Sequence, residues 1–588
     1  MTVAYTVLLR PAEHELRVEI VIRGVQGRLS LHIPTWVPGD YTFAPQARDL
    51  FDLSATCGGQ ALAVRRDGWQ GFVVDGAAGD VTVSYTAYAW GDDLSESAGL
   101  VDDRCAIVLG ARLLFSPAHL GACEVEYRVP ADWHIHHPSG ATKLGARTWR
   151  YPSYELLLDT PVILGHFDTL ERRVLGTPFY FVFIDRGVGF DAEANRFVDA
   201  VARASAALGA IFGGFPFTDY TFVLSLSPNN DWGLEHLTST MCGLGPDVFV
   251  DDDQFNIGVR VCAHELFHAW NVRRCRPAPL GHLETHLVTG AFTEGLWLAE
   301  GFTRYYEFLA CARAGIYSAS QFFSNLVGYH NHLTIQPAYR RVSAADSSYA
   351  SYLNHASYAG RTNNGIDYYD KGMLIAFGVD SMLRTGTADS LDTAFKAFYE
   401  RFVGFGHAHP GYTTADVLAF FGGIHAPLRA LVEGAVEHPA GLQTAAGLRA
   451  LGFDVTVGST LRLGLVFQKA VSPAIYGVMD DAPAGAAGLA PGDVITGIDG
   501  FAFSAAALTW AGSRAAAVTL AVQRGHRALS FTLTPSPSER IQALRWAGSD
   551  ADAARIRGWL GQDPIDLAAG RDLDLSFYEN FHGIEVVV

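Results

Sequence analysis

The alternation of apolar and polar residues divides this 588-residue chain into a strand-rich beginning and a helical middle. Before residue 165, apolar and polar side chains alternate at 16–22, 81–88 and 123–129. Clusters of Gly, Pro and Asp separate these stretches, which together predict half-buried strands joined by turns. We therefore expect a β-rich domain over residues 1–165, built as a sandwich or an open saddle.

The pattern changes after residue 165. Short apolar runs at 179–184 and 220–226 predict strands. A period of 3.6 residues predicts helices, which we place at 191–212, 255–271, 294–314 and 391–402. Such a mixture, with the helices toward its C-terminal side, indicates an α+β domain over residues 166–445.

Residues 446–540 return to short strands and contain a distinctive turn segment at 482–500. In it a short helix stops at glycine, Pro-Gly492-Asp493 turns the chain, and an apolar strand leads into an Asp499-Gly500 hairpin turn. The segment resembles a PDZ domain, with an arbitrary hairpin as the alternative. Residues 541–588 are predicted to form a helix at 550–560 and a tail. The expected fold class is multidomain α+β.

The net charge narrows the range of partners. The chain has 43 Lys and Arg against 61 Asp and Glu, a formal charge of −18. An acidic surface repels phosphate backbones, so we expect no nucleic-acid partner, and it does not favour anionic membranes. With 49% hydrophobic and 18% charged residues, the composition is typical of a folded globular protein.

Targeting and redox signals are weak. The first residues lack a basic region followed by a long apolar core, and no apolar run approaches a membrane span, so we expect a cytoplasmic protein. A mature exported form without its leader would look the same. The seven cysteines are scattered and never spaced as CxxC, which favours buried thiols over disulfides or a cysteine–metal site.

The most informative motif is His264-Glu265-Leu-Phe-His268, which lies in an apolar, helix-compatible run. Residues four apart share one face of a helix, so the two histidines can grip one cation. Glu265 would lie close to that cation and could act as a base toward a water molecule bound to it. The motif indicates a zinc hydrolase, most readily a peptidase, although HExxH also occurs by chance.

A catalytic zinc site needs a third protein ligand as well as an open position. Glu300 is the candidate because it stands among apolar and aromatic residues, where a carboxylate needs a cation or a hydrogen-bonded partner. Glu294 is its rival. If both lay on the predicted helix, six residues would separate them by about 600°, so they would point in different directions.

The segments 264–277 and 298–306 together resemble the glycyl aminopeptidase family of zinc peptidases, peptidase family M61, which is related to the aminopeptidase N group. The resemblance implies a thermolysin-like catalytic domain, one Zn²⁺ per chain and Glu300 as the third ligand. Residues 33–41, with Trp36, Pro38, Gly39 and Tyr41, are similar to the signature of the family's N-terminal domain. Residues 154–161 are similar to the segment that closes that domain, and a PDZ domain after the catalytic domain is the family's arrangement.

The same resemblance extends to the segment from Gly233 to Thr240, which is similar to the family's Gly-Gly-Leu-Glu-His segment. There a glutamate binds the free α-ammonium group of the substrate, and Glu235 is the matching residue. The alternative is a surface glutamate on an edge strand. Trp232 stands where glycine is usual, and its indole could narrow the pocket for the first substrate side chain.

Tyr369-Asp-Lys-Gly372 resembles the Tyr-x-Lys-Gly motif of the aminopeptidase N relatives, whose tyrosine donates a hydrogen bond to the oxyanion. A phenol is protonated at neutral pH and can donate to developing negative charge. Tyr369 is the match, and Tyr368 is its decoy. A structural tyrosine in the core is the alternative.

Two further features of the sequence lie outside the predicted catalytic residues. Arg273 and Arg274 follow the motif and could bind a peptide carboxylate, but we favour pairing with a structural acid. The chain ends in Glu585-Val-Val-Val588, an apolar C-terminus of the kind that PDZ domains bind. The candidate carboxylate-binding loop of the PDZ-like segment is Leu463-Gly464-Leu465-Val-Phe467. One hypothesis is that this tail docks on its own or a neighbouring PDZ groove.

Taken together, the sequence predicts a zinc aminopeptidase that acts on peptides with a free N-terminus and favours a small first residue such as Gly or Ala. A C-terminal peptide ligand of the PDZ-like domain is a further possible partner. The alternatives are a zinc endopeptidase and a metal-binding scaffold whose PDZ domain carries the function.

Overall fold

The computed structural model describes residues 3–37, 39–90, 99–184, 189–227, 232–281, 286–351, 358–404, 411–562, 567, 570–579 and 585–588. The chain forms two compact units, Met1–Phe292 with Tyr399–Tyr412, and Thr293–Phe398 with Thr413–Val588. Within the described ranges, no helix is long and apolar enough to cross a membrane. Pro38, Gly583 and Ile584 lie outside the described residues.

The first unit begins with two β-sheets, as the alternating pattern predicts. In spatial order, the eight-stranded sheet contains Thr142–Lys143, Thr148–Tyr151, Cys123–Arg128, Val3–Arg10, Glu15–His32, Gly71–Tyr88, Leu50–Cys57 and Gln60–Arg66. The four-stranded sheet contains Gly99–Val101, Cys105–Val108, Val162–Gly165 and His134–His136. Side chains from both sheets share one apolar core, in which Val18, Ile20 and Ile163 are fully buried.

A mixed five-stranded sheet and two long helices follow in the same unit. Its strands are Asp168–Val174, Thr177–Phe183, Tyr220–Ser225, Ser239–Gly243 and Trp232–Glu235, in spatial order. The last of these, the edge strand, runs antiparallel to its neighbour. The helices are Asp191–Phe212, as predicted, and Asp252–Phe267, the motif helix, which is joined to the first by Phe197 and Phe255 with ring centroids 5.7 Å apart.

The unit is completed by short elements between these sheets. The five-residue helix Tyr154–Leu158 begins at Ser153, whose side chain accepts the N–H of Leu156. The described 3₁₀ turns here are Pro11–Glu13, Gln46–Asp49, Gly110–Arg112, Pro246–Phe249 and Ala278–Leu280.

Helices dominate the chain between residues 293 and 450. They are Leu296–Ala299, Gly301–Arg313, Ala319–Ile335, Ala344–Tyr349, Arg361–Asn364, Tyr368–Gly386, Leu391–Phe402, Thr414–Ile424, Ala426–Val436 and Thr444–Ala450, with a 3₁₀ turn at Pro337–Arg340. The predicted helix at 294–314 is therefore interrupted at Glu300, where the backbone has φ −96° and ψ −43°. Glu294 precedes both pieces and is exposed, so the expectation that Glu294 and Glu300 share a helix is wrong.

The strands of the second unit begin after Ala450. They are Phe453–Arg462 paired with Ser536–Trp546, Leu465–Gln468 between Gly477–Val478 and Glu585–Val587, and Val494–Ile498 between Phe501–Ala502 and Val518–Arg524, with Arg527–Leu533 beyond. The predicted turn segment has the expected local structure. Helix Pro483–Ala487 stops at Gly488 with φ +87°, and Asp499 and Gly500 both have positive φ between two hairpin strands. The PDZ-like assignment stays a prediction.

The remaining helices of this region are Ala505–Gly512 and Asp550–Leu560, the second with its predicted bounds. It begins at Ser549, which forms a capping box with Asp552, and ends at Gly561 with φ +68°. The seven cysteines are free thiols, and all but Cys57 are buried, as predicted.

Candidate metal and active site

The motif helix brings both histidines to its C-terminal end. Its first turn is capped by Asp251, whose side chain accepts the N–H of Gln254 at 2.9 Å. His264 occupies the last turn, and His268 follows the final helical residue with its backbone still right-handed, at φ −60° and ψ −19°. The helix predicted to reach residue 271 therefore ends at Phe267.

The two imidazoles face one another through their Nε2 atoms, which lie 3.0 Å apart. His268 Nδ1 lies 2.7 Å from the carbonyl oxygen of Asn271 and donates its proton there, which leaves the Nε2 lone pair available. A carbonyl partner on the second nitrogen is the usual way in which metal-binding histidines are oriented. Two nitrogens that converge at this distance, each buried, fit the donor set of a zinc site.

Glu265 lies on the same helical turn and is 5% exposed. Burial raises the pKa of its carboxyl; His264 and His268 lower that pKa in part, and the neighbouring Glu235 raises it further. The carboxyl group packs on the backbone of Gly233, where a Cβ atom would lie only 2.1 Å from Oε1 of Glu265. Glycine at 233 therefore makes room for the glutamate of the motif.

Glu235 ends the edge strand and is 3% exposed, so the alternative of a surface glutamate is wrong. Ligand atoms of Glu235, Glu265 and His268 all lie within 4.8 Å of one another. Gly39, from the segment 33–41, touches the Glu235 carboxyl and has φ +94°; a Cβ there would lie 2.7 Å from the carboxyl carbon. Trp232, at the other end of the strand, is half-buried.

The segment that carries Gly39 is held by the chain around residue 288. The N–H of Thr35 donates to the carbonyl of Leu287 at 2.8 Å, and its hydroxyl donates to the carbonyl of Val288 at 2.9 Å. Trp36 packs its ring 5.6 Å from that of Phe292. These contacts hold the segment 33–41 in place, so that the backbone of Gly39 lies against the Glu235 carboxylate.

A buried ion pair fastens the edge strand to the end of the motif helix. Asp159 accepts a hydrogen bond from Arg273 at 2.6 Å and another from the N–H of Leu237 at 2.8 Å, and it lies 3.4 Å from His236 Nδ1. Burial alone would raise the pKa of Asp159, but Arg273, His236 and the Leu237 N–H together lower it. The structural role expected for Arg273 is thus confirmed.

Arg274 also has a structural role. Its guanidinium donates to the carbonyl oxygens of Leu237 and Ala269, at 3.0 and 2.8 Å. Sequence reasoning missed Asp159 as the partner of Arg273. The available signal was a lone acid after three leucines and before Thr-Pro, in a segment too apolar for an exposed carboxylate.

The second unit contains the other predicted residues. Glu300 is 1% exposed and sits at the break between helices Leu296–Ala299 and Gly301–Arg313. Directly after it, Gly301 packs against Gly372 of helix Tyr368–Gly386; a Cβ on Gly301 would lie 2.3 Å from the Cα of Gly372. The glycines of the Glu-Gly-Phe-Thr and Tyr-x-Lys-Gly motifs therefore allow the two helices to touch.

Tyr368 and Tyr369 begin that helix, with their rings stacked at 4.9 Å. Tyr368 is buried; burial raises the pKa of its phenol, and the Glu300 carboxylate raises it further. Tyr369 is half-buried and lies 5.0 Å beneath the guanidinium of Arg304, which also pairs with the buried Asp370. Both phenols are thus held as potential donors at the start of one helix.

Two family models match the chain. One, described as M61 glycyl aminopeptidase, matches residues 258–375, and the other, the peptidase M61 N-terminal domain, matches residues 4–166. The chain belongs to peptidase family M61. The region 258–375 contains His264, His268, Glu300 and Tyr369. The region 4–166 contains Gly39 and Asp159.

One solved structure has the same fold over nearly the whole of this M61 chain. An aminopeptidase N family protein from Idiomarina loihiensis is 22% identical, and the match covers 95% of this chain and all of that one with a TM-score of 0.85. An M1 zinc metallopeptidase variant from Deinococcus radiodurans, bound to a Tyr-Ser-Ala substrate, is 17% identical over 75% of this chain and 94% of its own, with a TM-score of 0.45. No curated protein matches this M61 chain.

Replacing Asp159 by Asn in this M61 protein should lower the free energy of unfolding by about 3–5 kcal/mol, because Arg273 would remain buried without its counter-charge. The lowered pKa of Asp159 means that its contribution is complete at neutral pH and is lost as the pH falls through the folded-state pKa. Chemical denaturation between pH 7 and pH 3 should therefore show the difference between wild type and variant shrinking at the acidic end.

Asp132→Asn is the matched control, since the Asp132 side chain is 71% exposed and pairs with His166, which is itself exposed. It should change the stability by no more than about 0.5 kcal/mol. A comparable loss in both variants, or a constant difference across the pH range, would contradict the role given to Asp159.

Proposed function

We propose that this M61 protein is a zinc-dependent aminopeptidase that removes small N-terminal residues from peptides. The observation that carries the proposal is the cluster at the end of the motif helix, where two imidazole nitrogens converge at 3.0 Å beside the buried carboxylates of Glu235 and Glu265. A bound cation would balance the charge of the buried carboxylates and would use the imidazole nitrogens as ligands.

His264, His268 and Glu300 are the proposed zinc ligands. Two neutral imidazoles and one carboxylate, all of them buried, are a donor set typical of catalytic zinc in peptidases. Zinc, when bound, supplies a Lewis acid that polarises the scissile carbonyl. The proposed stoichiometry is about one ion per chain, as in single-zinc peptidases.

Glu265 is the proposed proton carrier. Its buried carboxyl group lies on the same helical turn as both histidines, where it can take a proton from the attacking water and pass it to the leaving amine. Gly233 supports this role because it lets the carboxyl group lie against backbone rather than against another side chain.

Glu235 is the proposed anchor for the substrate. A fixed carboxylate pairs with the α-ammonium group of a free N-terminus and so places the first peptide bond at the reacting position. The family description, glycyl aminopeptidase, supports a pocket for a small first residue such as Gly or Ala. Trp232, at the other end of the same strand, is the residue proposed to narrow that pocket.

Tyr369 is the proposed donor to the oxyanion. The guanidinium over its ring and the capping of this helix by Asp367, which accepts the N–H groups of Tyr369 and Asp370, restrict its motion. A phenol held in this way can stabilise negative charge on the carbonyl oxygen without reorganisation.

The proposal is tested by a panel of aminoacyl reporter substrates together with metal analysis of the same preparation. We expect glycyl and alanyl substrates to react fastest and about one zinc per chain. Glu265→Gln should abolish turnover while the zinc content stays unchanged, because Gln cannot carry the proton but is not a ligand. Unchanged turnover in this variant, or activity after complete zinc removal, would refute the mechanism.

Blocking the substrate N-terminus distinguishes an aminopeptidase from a zinc endopeptidase. N-acetylation of a glycyl peptide should lower kcat/KM at least 100-fold, because Glu235 then has no ammonium to bind. Glu235→Gln should lower kcat/KM for the free peptide by about 10- to 100-fold, the value of a hydrogen bond between charged groups. Equal hydrolysis of the free and acetylated peptides would favour the endopeptidase.

Tyr369→Phe should lower kcat on the order of a hundredfold or more, as expected for the loss of one oxyanion donor, with little change in KM. Tyr368→Phe removes a hydroxyl from the same helical turn and should leave kcat within a few-fold of wild type. A larger loss in Tyr368→Phe than in Tyr369→Phe would reverse the roles of the two residues.

A further inference from the structure

The last residues of the chain form a strand on the module that precedes them. Glu585–Val587 pairs antiparallel with Leu465–Gln468, the groove strand, in the register Val466 with Val587 and Phe467 with Val586. The N–H of Val588 donates to the carbonyl of Leu465 at 2.9 Å and continues this ladder to the end of the chain. The tail is therefore bound through backbone hydrogen bonds, as a strand added to the groove strand.

The chain terminus is bound by consecutive backbone amides. The N–H groups of Leu463, Gly464 and Leu465 all donate to the carboxyl oxygen of Val588, at 3.1, 2.8 and 3.1 Å. Three donors on one oxygen suit the full charge of an α-carboxylate, as in backbone anion nests. Gly464 has φ +84°, and a Cβ there would lie 2.2 Å from Cβ of Ala482, so this turn requires glycine.

The side chain of Val588 fills an apolar pocket. It is 7% exposed and belongs to the core that includes Leu463, Leu465 and Leu508. Gly512, the last residue of helix Ala505–Gly512 (the groove helix), forms one wall: a Cβ there would lie 2.7 Å from Val588 Cγ1 and next 3.7 Å from Leu463. The pocket therefore accepts a residue of about the size of valine.

The residues just before the tail are anchored elsewhere in the same unit. The N–H of Glu579 donates to the side chain of Asn325 at 2.8 Å, and its carboxylate accepts the hydroxyl of Tyr317 at 2.5 Å. Five residues, 580–584, connect this anchor to Glu585. Because this linker is short, the tail has an effective concentration at its binding site on the order of millimolar, far above that of most free competing peptides.

We propose that the groove between the groove strand and the groove helix is a receptor for the free α-carboxylate of an extended peptide that ends in a small apolar residue. Its resident ligand is the C-terminus of this same chain, which occupies the groove in cis. The tail therefore excludes other C-terminal peptides until it is displaced or removed.

Removal of residues 585–588 should open the groove. The probe is a fluorescein-labelled peptide of residues 583–588, Gly-Ile-Glu-Val-Val-Val, with a free C-terminus, and its binding is followed by fluorescence anisotropy. We expect the truncated chain to bind it at least 100-fold more tightly than the intact chain, because the tethered competitor is gone. The same peptide with a C-terminal amide should bind the truncated chain at least 10-fold more weakly.

Two further variants test the pocket in the truncated background. Gly512→Leu should abolish peptide binding, because a Cβ at this position would already lie 2.7 Å from Val588 Cγ1 and a longer side chain would fill the place of Val588. Gly558→Leu is the matched control; it lies on the exposed face of helix Asp550–Leu560, has no neighbour within 4 Å of its Cβ position, and should leave binding unchanged.

A chain extended by Gly-Ser-Gly-Ser after Val588 retains every native residue but has no free carboxylate at this position. It should also bind the peptide at least 10-fold more tightly than the intact chain, which keeps the test valid if the truncated chain does not fold. Equal binding to intact, truncated and extended chains, or equal binding of acid and amide peptides, would overturn the proposal. So would an intact chain that is dimeric and becomes monomeric on truncation, since the tail would then bind a second copy.

Discussion

The carboxylate of Asp159 joins its own segment to the two segments from which the histidine–glutamate cluster is built, the edge strand and the motif helix. It follows helix Tyr154–Leu158, accepts the N–H of Leu237 just beyond the edge strand, and pairs with Arg273 just beyond the motif helix. Neither charged side chain reaches water, so moving one segment away would leave an unpaired charge in the protein interior at a cost of several kcal/mol. The positions of Glu235 and His268 therefore depend on an ion pair that belongs to neither the proposed ligands nor the proposed proton carriers.

A second constraint is the absence of side chains at the positions that approach the charged groups. Gly39 touches the Glu235 carboxyl and Gly233 touches that of Glu265, while Gly301 and Gly372 bring two helices together beside Glu300. At each position a single added carbon would fall within 3 Å of another atom. These glycines thus share one physical role. Because they have no side chain, the backbone can pack closely beside a buried carboxylate.

The periodic segments were predictable because burial of one face leaves a local imprint on the sequence. The helices Asp191–Phe212 and Asp550–Leu560 and the first strands appear where their patterns place them. The ends of the site helices were not predictable in this way. The apolar pattern continues past Phe267 and through Glu300, but the regular α-helix ends at the first place and is interrupted at the second. Periodicity reports which residues are buried, and it does not report where the carbonyl groups find their partners.

The sequence by itself determined the local chemistry: the spacing of His264, Glu265 and His268, the glycine-led turns, and the apolar residues at the C-terminus. These follow from helix geometry and from backbone freedom, which act over a few residues. Only the tertiary structure decided that Glu235 lies beside Glu265, that Asp159 is the partner of Arg273, and that the carboxylate of Val588 meets the amides around Gly464. Such contacts join residues far apart in the chain, and they depend on how whole sheets and helices bury their apolar faces, which no local pattern encodes.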